Sequence, residues 1–192
     1  MTTITDEIND GSTSGGAANA NRISCWKLIP STTYYITGIR TQLSTGGYSA
    51  TQKIRTAVYS NQVIDGTDYP YEMLTQSEET VFADTTSWQQ IGTFTSDYPH
   101  VSTSDKVWLA FWSNENMFLD ADTITGMKVE NSITYSSSAD FPTAANDCNG
   151  NTTPCEELGK YNIGSIGNTE NPSPSPGSGG TLLPPPPAMV RL

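Results

Sequence analysis

The segment Val107-Trp108-Leu109-Ala110-Phe111-Trp112 constrains the fold more than any other part of this chain. Successive side chains of an extended strand point to opposite faces. Val107, Leu109 and Phe111 then share one face, while Trp108, Ala110 and Trp112 share the other. Both faces are apolar, so the segment is expected to run through the centre of a sheet that is covered on each side.

The same two-residue period recurs along the middle of the chain. Ile54, Thr56 and Val58 fall on one face of a second segment, and Arg55, Ala57 and Tyr59 on the other. Runs rich in Ile, Val, Tyr, Trp and Thr predict strands at 22–29, 34–43, 53–60, 72–82, 88–95, 106–113, 116–120, 127–136 and 159–165. Turn signals separate them: Gly46-Gly47, Asp65-Gly66, Asp84-Thr85-Thr86-Ser87 and Ser113-Asn114-Glu115-Asn116. Helical periodicity is absent. Short strands at this spacing predict an all-β, antiparallel two-sheet sandwich.

The chain has 192 residues, which fits one domain with tails. Residues 1–21 are polar and rich in Gly, Ser and Asn, the composition of an extended arm. Residues 22–167 form the expected sandwich. Residues 168–192 are a second arm, rich in Pro, Gly and Ser, with prolines throughout 184–187 that favour extended polyproline II. That arm turns apolar at Met189, Val190 and Leu192, which are candidate anchors in a neighbouring subunit's groove.

A net charge of −11 argues against nucleic acid and against docking on anionic lipid. No apolar run approaches the roughly 18–20 residues needed to span a bilayer, so membrane insertion is not expected. The start, Met1-Thr2-Thr3-Ile4-Thr5-Asp6-Glu7, has neither a basic nor an apolar stretch and does not read as a secretory signal. Neutral hydroxyl and amide residues dominate the polar set, as is common on secreted and virion surfaces.

Candidate chemistry is sparse. His100 is the one histidine, and no Gly-x-Ser-x-Gly elbow accompanies it. Glu78 and Glu79 are adjacent in a predicted strand and point apart, as do Glu156 and Glu157 if extended. No enzymatic activity is therefore expected, and no cofactor. Asp120 and Asp122 share a face and could join a calcium site with loop carbonyls, though a solvated turn explains them as well. Cys148 and Cys155 bracket a short polar loop in which either a disulfide or two free thiols would fit, while no partner pair supports zinc. Cys25, beside Trp26, is a predicted core residue.

One motif repeats. Asp68-Tyr69-Pro70-Tyr71 falls between the third and fourth predicted strands, and Asp97-Tyr98-Pro99-His100 between the fifth and sixth. With antiparallel neighbours and a continuous strand over 72–82, both motifs lie at one end of the sandwich with loop 121–126. The cysteine loop 137–158 lies at the other end. Tyr69, Tyr71, Tyr98 and His100 are candidate binding residues, because aromatic rings on proline-stiffened loops stack on sugars or anchor proteins at low entropic cost. Alternatively the Tyr-Pro pairs pack down over the sandwich end.

Three stretches carry a family resemblance. They are Tyr35-Ile36-Thr37-Gly38-Ile39-Arg40 leading to Lys53-Ile54-Arg55-Thr56-Ala57-Val58-Tyr59-Ser60, then Met73-Leu74-Thr75-Gln76-Ser77-Glu78-Glu79-Thr80-Val81 with Trp88, then Asp105-Lys106-Val107-Trp108-Leu109-Ala110-Phe111-Trp112. In this order, over about residues 22–135, the chain resembles the jelly-roll modules of phage and virus virion surface proteins and of bacterial extracellular, carbohydrate-binding-like domains. The resemblance implies an antiparallel jelly-roll sandwich with extended arms, and it brings no catalytic set. Such modules are lectin-like or carbohydrate-binding-like accessory domains or virion surface proteins. A start that does not read as a secretory signal, a single module and long flanking arms depart from a plain secreted module. They suit a non-enzymatic structural protein of a virion surface better: a decoration, fibre or tail-tip component. Its partners would be copies of itself and other virion proteins. A lectin-like module for cell-surface glycan and an extracellular filament subunit are the alternatives.

Overall fold

A computed structural model describes residues 2–8, 14–18, 20–21, 23–42, 52–81, 88–115, 117–122, 127–130, 135–137, 141, 160–161 and 163–172, with backbone alone at 14–18, 117–122, 127–130 and 160–161. Its strands are β1 (Thr3–Ile8), β2 (Ser14–Ala18), β3 (Ile23–Leu28), β4 (Tyr34–Gln42), β5 (Lys53–Ile64), β6 (Thr67–Gln76) and β7 (Thr80–Val81), followed by β8 (Trp88–Thr93), β9 (His100–Val101), β10 (Val107–Ser113), β11 (Met117–Asp122), β12 (Met127–Glu130), β13 (Lys160–Tyr161) and β14 (Ile163–Asn168). None of the described residues is helical.

Two antiparallel sheets make the expected sandwich. One has the order β1-β14-β4-β8, with β9 also on β4; the other has the order β12-β3-β10-β5-β6, with β7 also on β5. A short third sheet joins β13, β11 and β2. β10 lies between β3 and β5, as its two apolar faces require. Val107, Leu109 and Phe111 pack into the core between the sheets with Trp26, Leu28, Tyr34, Ile36, Ile39, Ile54, Val58 and Ile91. On the outer face Trp108, Ala110 and Trp112 pack with Ile23, Cys25, Ala57, Tyr59 and Phe141. Each fully buried Val, Leu, Ile or Phe among them stabilises the fold by about 1.5–3 kcal/mol relative to exposure. Cys25 is a core residue, as expected.

The sheets approach closely at Gly92. A Cβ there would stand 1.9 Å from Oγ1 of Thr56 in the facing sheet, so only glycine fits.

Three expectations are corrected. The N-terminal arm is not separate from the sandwich over its first residues: β1 pairs with β14 along its whole length, from Thr3↔Asn168 to Ile8↔Ile163. Ile4 and Ile8 pack on the core. Asp6 between them is buried, accepting hydrogen bonds from the Ser31 amide (2.6 Å) and the Tyr34 hydroxyl (3.4 Å). Alternation thus outweighs polar composition. Secondly, the predicted strand 72–82 is broken at Ser77-Glu78-Glu79, so β6 and β7 lie end to end along β5. Thirdly, β5 runs four residues past its apolar stretch and turns at Asp65-Gly66. Both residues have positive φ (49° and 80°), the conformation of a tight hairpin turn. Asp68-Tyr69-Pro70-Tyr71 is therefore strand and not loop, with Gln62 opposite Tyr69 and Asn61 opposite Pro70.

Candidate functional site

The break between β6 and β7 is a fastening point. The Ser77 amide donates to the Thr56 carbonyl (2.8 Å), and the Thr56 amide donates to Ser77 Oγ (3.0 Å). Gln76 Oε1 accepts from Arg55 Nη2 (3.3 Å) and from the Phe141 amide (3.0 Å). Glu79 takes Lys53 Nζ at 2.8 Å and the Tyr135 hydroxyl at 2.8 Å. The Lys53 bond holds the Glu79 carboxyl below its ordinary value, while burial pushes the Tyr135 phenol up. Tyr135 and Phe141 in turn set their rings edge-on to Trp112, at 5.4 and 5.6 Å. The Gln-Ser-Glu-Glu stretch thus pins the cover of the outer face of β10.

A second network closes the β5–β6 hairpin. Asp68 accepts from Lys27 Nζ (2.9 Å), Lys106 Nζ (2.9 Å) and Asn61 Nδ2 (2.9 Å). Asn61 Oδ1 accepts from Trp108 Nε1 (2.8 Å). The Lys106 bond, backed by Lys27 and Asn61, holds the Asp68 carboxyl well below the carboxylate range. Sequence reasoning singled out the aromatic members of the motif and missed its aspartate. The available signal was Lys27, a cation in an otherwise apolar strand, which needed a buried partner.

Beside this network lies a groove of about 520 Å³, between the far part of the hairpin and the β9–β10 connection. Val63 and Leu74 flank it from the hairpin, and His100, Ser104 and Lys106 from the other side. The Ser102–Asp105 turn that rims it is stiffened by Asp105, whose Oδ2 accepts from the Ser102 amide (2.8 Å) and hydroxyl (2.9 Å).

The two Asp-Tyr-Pro motifs converge here. Asp68 binds Lys106, which lines the groove together with His100. Thr75 Oγ1, on β6, also donates to the Ser96 carbonyl next to the second motif (3.4 Å). The four candidate rings do not act alike. His100 is exposed, with its ring 4.5 Å from that of Tyr35. Tyr98 packs against the inter-sheet core, and Asp97 before it turns the chain with φ 52°. Tyr69 and Tyr71 sit half-buried on β6 and are not among the residues lining the groove.

Asp120 and Asp122 belong to β11, where the backbone alone is described. Cys148, Cys155, Met189, Val190 and Leu192 lie outside the described residues. Among the described residues, no group of three or more His, Cys, Asp or Glu could hold a metal ion.

Fold and groove define the class: an antiparallel two-sheet β-sandwich with a groove at one end. No protein-family model matches the chain, and no curated protein matches it in sequence.

Proposed function

We propose that this protein is a non-enzymatic structural component of a virion surface, a decoration, fibre or tail-tip subunit, in which the sandwich is a rigid body and the arms make the assembly contacts. One observation carries the reading. Among the described residues, several charged side chains that chemistry would draw on are committed to the architecture: Asp6 to Ser31 and Tyr34, Asp68 to Lys27 and Lys106, Glu79 to Lys53 and Tyr135. Arg40 is likewise engaged, paired with Glu7 and stacked 4.5 Å over the Trp88 ring. A scaffold so stapled suits load-bearing contact. Sedimentation velocity over a concentration series tests it. The full chain is expected to associate reversibly, and a Met189→Ser, Val190→Ser, Leu192→Ser variant to associate less. A chain that stays monomeric at every concentration overturns the reading.

Glycan recognition is the second reading, favoured by the exposed His100 ring against Tyr35 at the groove. It requires that His100→Ala lose glycan-array signal without losing thermal stability. A blank array for the unmodified protein rejects it.

A further inference from the structure

Several of the groove's polar groups already have hydrogen-bond partners. Ser60 Oγ accepts from the Glu72 amide, Asn61 spans Asp68 and Trp108, Asp105 holds Ser102, and Lys106 holds Asp68. Beside the exposed His100 ring, the groove offers an occupant aliphatic surface: Val63, 59 % exposed, and Leu74, 39 % exposed, over buried Val101 and Val107. Such a surface suits an apolar extended peptide better than a polyol, which would need unsatisfied donors and acceptors.

The course of the chain brings a peptide of that kind to this end. β14 and β9 are both antiparallel to β4, so they run in the same direction. Asn168 and His100 stand opposite the same residue, Tyr35. The chain therefore leaves the sandwich two strand spacings from His100, about 10 Å, heading toward the end where the Ser102–Asp105 turn rims the groove. Ser173-Pro174-Ser175-Pro176-Gly177-Ser178-Gly179-Gly180-Thr181 follows, and then the apolar run Leu182-Leu183, prolines 184–187, Ala188-Met189-Val190. Nine residues of Gly/Ser-type linker span roughly 15–18 Å root-mean-square, and a segment tethered by so short a linker has an effective concentration on the order of 1 mM. From Asn171 to Leu192 there is no Asp or Glu, in a chain with 20 of them, so the segment meets no repulsion from the acidic body.

We propose that the groove is the docking site for Leu182–Val190 of the same chain, held as an extended polyproline-type strap against Val63 and Leu74. This rests on the assembly reading in so far as the strap contains Met189 and Val190, two of the three anchors proposed there. In the free subunit it would keep those anchors covered until a partner displaces them.

Methyl nuclear magnetic resonance on the dilute full-length protein tests this. Cross-peaks are expected from the Met189 ε-methyl to the Val63 and Leu74 methyls, unchanged on dilution. Leu74→Lys, at an exposed position, should abolish them and move the Met189 methyl to its position in a synthetic peptide of residues 181–192, with Leu109 unmoved. Met189→Ser should shift the Leu74 methyls in the same sense without touching the core. A Met189 methyl already at the free-peptide position in the unmodified protein overturns the proposal. So do cross-peaks that arise only between differently labelled copies, and these would leave assembly through the arms standing. Loss of self-association in sedimentation with the cross-peaks intact would instead remove the assembly reading and leave the strap.

Discussion

At the scale of single residues, the side chain with the clearest energetic signature is Asp68. Its folded-state pKa is depressed, so its contribution is present above the unfolded value of 3.8 and is lost as pH falls toward the folded one. Asp68→Asn should therefore cost about 1–3 kcal/mol at neutral pH, since Lys27 and Lys106 lose their counter-charge and one acceptor oxygen becomes a donor facing them. The gap between variant and parent should narrow below about pH 4. Urea unfolding at several pH values reads both. A gap that stays constant down to strongly acid pH would show that Asp68 acts by packing alone. Gly92 is the second such position. Gly92→Ala drives a methyl into Thr56 and should cost about 3 kcal/mol, near the upper end for overpacking. Thr56→Ala on top of it should restore part of the loss, because the nearest atom is the Thr56 hydroxyl. Thermal denaturation of the two single variants and the double variant gives the coupling.

At the scale of elements, the β6–β7 break explains why a recognisable stretch need not mark a site. Gln76, Ser77 and Glu79 serve β5 and the cover over Trp112. Gln76→Ala should leave the Phe141 amide without its acceptor and speed its hydrogen exchange, at a cost of about 1–2 kcal/mol. Exchange at β10 amides should hold nearly to the parent's rate. The element level was also where the sequence was most legible. The alternation in Val107–Trp112 and Lys53–Tyr59 placed both central strands and both of their faces, because period-two patterning reports burial directly. It was least legible where polar residues pair across strands. β1 hid behind Thr3, Thr5 and Asp6, since a buried carboxylate reads as surface until Ser31 and Tyr34 are seen beside it. The last turn of β5 hid because Asn61 and Gln62 carry no apolar signal, although Asp65-Gly66 marked the hairpin correctly.

At the scale of the molecule, the groove could not be read from the chain in order, because Val63, Leu74, His100 and Lys106 come from three separate stretches brought together by sheet order. The two copies of the repeated motif border the groove in different roles: the first supplies an ion-pair anchor and the second a turn and a ring. Net charge, by contrast, acts on the molecule whole. A subunit carrying −11 repels its copies wherever salt does not screen it. The screening length falls from about 30 Å at 0.01 M salt to about 8 Å at 0.15 M. If apolar arm segments drive association, screening removes the opposition and leaves the attraction. Self-association should then strengthen as salt rises over that range, and sedimentation velocity at fixed protein concentration reads the shift directly. Association through complementary ion pairs predicts the opposite slope. A fall in association with salt would therefore move the contact away from the arms and onto charged faces of the sandwich.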